Sequence, residues 1–284
     1  MRHPTFLAIV LISIRCVAQT QTPESSSFLT NLQNMPSQIR TGTFDSQAFR
    51  ASEAQAETDV NLDLRAICRL LEADLADSNL QVSSQAAAVL GGLVRRNGNT
   101  EADRQLLVST VLSCLDKSKD QGTQLVCSTQ IGYRMPMSAI VQFKDLAARK
   151  IADGTAYSAL AVGLALLARS WPNVNIDPVL AEFFRSPSVS DDAKTRAIFS
   201  LQNMQLSDSV LDAVAELLSK TKSDELKLQI IQASPMFGGR AMEREHNTLL
   251  ALEANLSESE HVRQAAGNAL RVTGQGGTTN PGIH

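Results

Sequence analysis

An all-α, right-handed α-solenoid of about six helix pairs is the fold this sequence predicts, and three observations predict it. Apolar residues recur at helical spacing from about residue 59 to 274, without the alternation of a half-buried strand. The pattern also returns at a near-constant interval: second helices marked at Val82, Thr123, Ala156, Ala193, Leu226 and Val262 are separated by 41, 33, 37, 33 and 36 residues. Finally, 43% of the chain is hydrophobic but only 4% aromatic, so the core is Leu, Ala and Val. Short helices of that composition approach each other closely, and none buries its apolar face alone; they stack into an array with one long surface.

In chain order, Met1-Arg2-His3 precedes an apolar run from Phe6 to Ile14, followed by Cys16-Val17-Ala18 and a polar stretch beginning at Gln19. This is the pattern of a secretory signal peptide over 1–18, cleaved after Ala18. This run of nine residues is too short to span a bilayer, which takes roughly 20, so no membrane span follows cleavage. Arg15 argues against a lipidated Cys16, whose preceding residue is normally small. The chain is therefore expected to be exported, as a periplasmic or secreted protein. Residues 19–58 are rich in Ser, Thr, Gln and Asn and read as a flexible polar arm.

First helices of the six pairs are expected at 61–76, 101–117, 137–152, 177–185, 207–220 and 241–257. Ser190-Asp191-Asp192, Ser207-Asp208 and Ser223-Asp224-Glu225 place capping oxygens where backbone donors are exposed. Asn97-Gly98-Asn99, Gly122, Ser186-Pro187 and Gly238-Gly239 stop helices. Ala86-Ala87-Ala88, Gly91-Gly92, Ala161 with Gly163, and Ala265-Ala266-Gly267 allow close helix approach. The apolar run 159–168 ends at Arg169 after about ten residues, the length of a buried core helix rather than a membrane span. Gly274-Gln275-Gly276-Gly277 closes the repeat domain at 59–274 and leaves 275–284 as a disordered tail.

The second helix near the end reads Glu258, Val262-Arg263, Ala265-Ala266, Ala269-Leu270 and Gly274. It resembles a HEAT repeat, whose second helix commonly opens with an acid, then Val-Arg, two small residues and Ala-Leu before a glycine. Asp191 to Leu201 is similar without the glycine, and 81–98 keeps the small residues and glycine without the acid and arginine. The period covers 59–274, the motif three of six units. The resemblance implies a scaffold, with Asp192, Arg196, Glu258 and Arg263 as ladder residues between repeats.

Removing residues 1–18 takes away Arg2 and Arg15, which lowers 26 basic residues to 24 against 29 acids, a net charge of −5. With no run of five basic residues, nucleic acid is not expected as a partner. Three cysteines then remain: Cys68, Cys114 and Cys127. Antiparallel packing around Gly122 brings Cys114 and Cys127 within disulfide reach; the competing reading is three small buried side chains.

Two Glu-x-x-His units, Glu243 with His246 and Glu258 with His261, are the sharpest chemical hint, because paired units of this kind hold di-metal centres in long-helix bundles. Short helices and charged surroundings oppose it. No activated serine, phosphate loop or zinc-protease motif occurs, and no cofactor is implied. The expected function is a non-enzymatic, protein-binding scaffold or adaptor, with second helices lining a concave face that presents Gln85, Arg196, Gln202 and Arg263 to a protein partner. The alternative is a metal-binding or enzyme-subunit helical protein built on the Glu-x-x-His units.

Overall fold

A computed structural model describes residues 23–59, 62–130, 136–171 and 173–276. The expected signal segment lies outside them, as do residues 277–284 of the expected tail, whereas Gln275 and Gly276 belong to the last helix rather than to a disordered end. Fourteen helices and no strand occur among the described residues: α1 (Pro23–Thr41), α2 (Ser46–Thr58), α3 (Leu64–Leu75), α4 (Leu80–Arg95), α5 (Glu101–Lys117), α6 (Gln121–Gln130), α7 (Met137–Ala152), α8 (Ser158–Ser170), α9 (Asp177–Arg185), α10 (Asp191–Leu201), α11 (Asp208–Lys220), α12 (Asp224–Phe237), α13 (Gly239–Ala254) and α14 (Glu260–Gly276). Odd-numbered helices pack on odd-numbered neighbours from α1 to α13, and even-numbered helices on even-numbered neighbours from α2 to α14. The result is a two-layered, all-α solenoid.

Local chemistry fixes the boundaries. Ser190 and Ser223 accept from the backbone of Ala193 and Leu226 and so cap α10 and α12. Ser207 instead bonds Ser209, which leaves α11 without a side-chain cap. Thr100 and Asp103 form a reciprocal capping box at α5. Gly238 closes α12 at φ +95, a conformation that L side chains rarely adopt. Gly122 is not in a turn as its type suggests. It falls in the first turn of α6, where Asp120 caps Thr123.

The repeat is visible position by position. Val82, Thr123, Ala193, Leu226 and Val262 each occupy the third position of an even-numbered helix, and all are buried. In α8 that place is taken by Leu160, four residues beyond the marked Ala156. The fourth position holds buried polar groups: Gln124 donates to the carbonyl of Ser118, and Lys194 to that of Ser186. Those carbonyls belong to the residues that end α5 and α9, so α6 and α10 each cap the first helix of their own pair.

Where a flexible polar arm was expected, residues 23–58 carry α1 and α2. Phe28, Leu32, Met35 and Ile39 recur at intervals of four, three and four and form one buried stripe, joined by Phe49 of α2. The physical reason is the end of the array. The apolar face of α3 and α4 has no preceding repeat, and an amphipathic pair with few but well-placed apolar residues suffices to cover it. The described array therefore has seven pairs rather than six.

Ion pairs tie consecutive pairs: Arg40 to Asp77, Lys150 to Asp116 at 2.9 Å, Arg185 to Glu216 at 3.0 Å, Arg240 to Asp208 at 2.7 Å and, largely enclosed, Lys227 to Glu258 at 2.6 Å. Of the expected ladder residues, Glu258 makes such a link. Asp192 and Arg196 pair within α10 instead, and the Nε of Arg263 is buried without a hydrogen-bond partner. Among the described residues no helix is long and apolar enough to cross a membrane.

Candidate functional site: the even-helix groove

The surface of the even-numbered helices opens into a groove of about 410 Å³ running from α6 over α8 to α10 and α12. Beneath it, packed between α6 and α10, lies α8. Residues 159–165 of this helix are all buried, an outcome of the Ala, Leu, Val and Gly run that makes it the most apolar helix of the array. Gly163 permits the burial: a Cβ there would lie 2.7 Å from Cζ of Phe143, itself fully buried. Only Ser158, at the head of α8, reaches the groove.

The walls rise on either side. Leu125 of α6 and Phe199 of α10 stand 39% and 65% exposed, two apolar groups facing solvent within one lining. Arg196 bridges the walls. Its Nε donates to both carboxylate oxygens of Asp192 at 2.9 and 3.0 Å, and one terminal nitrogen donates to Oε1 of Gln121 at 2.8 Å, across 75 residues of sequence. That bond passes over α8, so the two walls converge above it. Gln229 of α12 extends the lining to the fourth helix.

α6, the shorter wall, is unusual in what it buries. Thr123, Gln124, Ser128 and Gln130 are all inside, and the Ser128 hydroxyl and Gln130 carbonyl oxygen have no hydrogen-bond partner among the described residues. A disulfide holds the helix in place: Cys114 of α5 and Cys127 of α6 are bonded, with sulfurs 2.15 Å apart and Cα atoms 6.6 Å apart. Cys68 remains a buried free thiol, its pKa pushed up by burial.

Of the residues expected to face a partner, Arg196 lines the groove. Gln85 on α4 and Gln202 at the end of α10 are partly exposed outside its lining, and Arg263 is partly buried. Leu125, Phe199, Gln121 and Gln229 were not among those expected. For Phe199 a signal existed, since the buried stripe Ala193, Ala197, Ile198 and Leu201 leaves no inward place for it on α10.

The Glu-x-x-His units do not converge. His246 lies eight residues before the end of α13, whereas Glu258 and His261 flank the start of α14, so roughly 12 Å of helix separates the units. Metal ligands sit about 2 Å from their ion. Glu258 is held by Lys227, Glu243 and His246 are exposed, and no group of three or more His, Cys, Asp or Glu able to hold a metal occurs among the described residues.

A different acid is more perturbed. Glu245 of α13 is 1% exposed, with no ion pair to a basic residue among the described residues, and burial raises its pKa to about 7. Its Oε2 meets the Ser234 hydroxyl, which also contacts the Ile230 carbonyl at 2.7 Å. One hydroxyl proton cannot serve two acceptors. The arrangement is complete when Glu245 is protonated and donates to Ser234, which in turn donates to Ile230.

Comparison with protein-family models finds no matching family, and comparison with curated proteins finds no relative.

Proposed function

We propose that this chain is an exported, HEAT-like scaffold that binds another protein through the face of its even-numbered helices. The observation that carries the reading is the groove across α6, α8, α10 and α12, where Phe199 and Leu125 expose apolar surface beside polar groups. Contiguous exposed apolar groups rimmed by polar ones are characteristic of interaction sites. A stacked array suits the role, because its surface is extended and its core does not depend on the partner.

Two features support the finer parts of the proposal. The acid at Glu258, reaching back to Lys227 of the preceding pair, agrees with the ladder that the HEAT resemblance implies. Export is supported by the signal-like segment 1–18 together with the Cys114–Cys127 bond, since disulfides persist in oxidising compartments. No observation favours the metal-binding alternative, whose four residues stay apart.

The test uses the chain from residue 19 as bait on envelope extract of its own source, with chemical crosslinking and mass spectrometry. One recurrent partner crosslinked to α6, α10 and α12 is the expected result. Crosslinks confined to the odd-numbered helices, or no enriched partner, would overturn the reading.

A further inference from the structure

We infer that the even-helix groove takes an extended, uncharged segment of polypeptide bearing large apolar side chains; the inference rests on the protein-binding reading above and goes beyond it by naming what is bound.

Charge is the first argument. Among the described residues the groove lining holds one ionic side chain, Arg196, and that charge is already met by Asp192 on the same helix. An incoming acid or base would lose hydration without gaining a counter-ion, a cost that an uncharged segment avoids. The second argument is hydrogen bonding. The rest of the polar lining is neutral amide and hydroxyl, with Gln121 at one end and Gln229 at the other. Each amide carries both donor and acceptor, which matches the alternating N–H and C=O of an extended main chain. A helical partner satisfies those backbone groups internally and has no use for them.

Length and apolar anchoring agree. Packed helices lie 8–10 Å apart, so the axes of α6 and α12 are at most roughly 27 Å apart, the reach of no more than about eight extended residues, and fewer where Arg196 meets Gln121. Along that path Leu125 and Phe199 offer apolar contact on either side of α8. Anchors of this kind, central and flanked by polar groups, carry most of the energy of an interface.

The experiment is panning of a display library of random twelve-residue peptides on the whole folded chain. Affinities of the selected peptides are then measured against wild type, Phe199→Ala and Gln121→Ala. Phe199 is exposed, so its replacement leaves the core untouched. The inference expects peptides without net charge that carry large apolar residues. It further expects binding about tenfold weaker to Phe199→Ala and further weakening when alternate backbone amides of the peptide are N-methylated. Selection of acidic or basic peptides overturns it, as does binding indifferent to Phe199 or to N-methylation. If no peptide is selected while a folded partner still crosslinks along α6, α10 and α12, the extended segment is ruled out and the scaffold reading survives. If neither binds, both fall.

Discussion

Helices α6 and α8 are neighbours in one layer, yet they are held by opposite means. α8 is a run of Ala, Leu, Val and Gly that buries seven successive residues, 159–165, and its place is set by packing alone. α6 spans ten residues, buries Thr123, Gln124, Ser128 and Gln130, and leaves two of their polar atoms without partners among the described residues. Such a helix gains little from burial, because each enclosed polar group costs about 1–3 kcal/mol when unmade. A covalent bond to α5 stands in for the missing apolar surface. Beneath the groove α8 is thus fixed by packing, and one wall is fixed by a crosslink. α13 belongs with α6, since it encloses the carboxyl of Glu245.

The largest test of this contrast removes the crosslink. Cys114→Ser with Cys127→Ser opens a loop of 13 residues, worth about 3 kcal/mol in chain entropy. Melting is expected to fall by roughly 6–12 °C, and hydrogen exchange to quicken in α6 before α8. Equal acceleration in both helices would show that α6 is held by packing after all.

Nearly as large is the effect of pH at α13. The folded pKa of Glu245, about 7, lies above its ordinary value of 4.5, so the folded state binds this proton more tightly than the unfolded one. Its stabilisation is fully present below about pH 4.5 and is lost as pH rises through 7, on the order of 3 kcal/mol. Glu245→Gln keeps a donor toward Ser234 at every pH. Chemical denaturation between pH 4.5 and 8 should slope downward for wild type and lie flatter for the variant, with parallel curves counting against the protonated carboxyl.

Gly163→Ala probes the packing of α8. The new Cβ would lie 2.7 Å from a Phe143 ring that is enclosed on all sides. Overpacking costs about 1–3 kcal/mol, offset by about 1 kcal/mol of helix propensity, so urea midpoints should reveal a net loss of about 1 kcal/mol. A gain in stability would mean that the ring has room to move. Smallest of all is Asp208→Asn, which severs the exposed carboxylate from Arg240 and leaves Arg244 its closer partner Asp212. Calorimetry should register no shift beyond its error, because solvent and side-chain entropy cancel most of such an interaction.

The helices α5, α7 and α9 fall at 101–117, 137–152 and 177–185, the bounds that turn residues and apolar spacing predict. Those signals are local, and local chemistry decides where a helix stops. α1 and α2 were hidden because their apolar residues are sparse; what makes them fold is the exposed end of α3 and α4, a fact of assembly rather than of composition. The groove was hidden for a similar reason. Phe199 follows Ile198 on one helix, and only the rotational phase of α10 decides which of them faces solvent. For Cys114 and Cys127, spacing left two readings open, because bond formation depends on how α5 and α6 approach rather than on their separation in sequence.

The hydrogen bond from Arg196 to Gln121 vaults a whole helix and joins walls two repeats apart. A solenoid bends like a leaf spring, and flattening it would draw α6 away from α10, so this one clasp links the width of the groove to the curvature of the array. A guest that prises the clasp open would let the spring relax, and a pull on the two ends of the molecule would widen the groove.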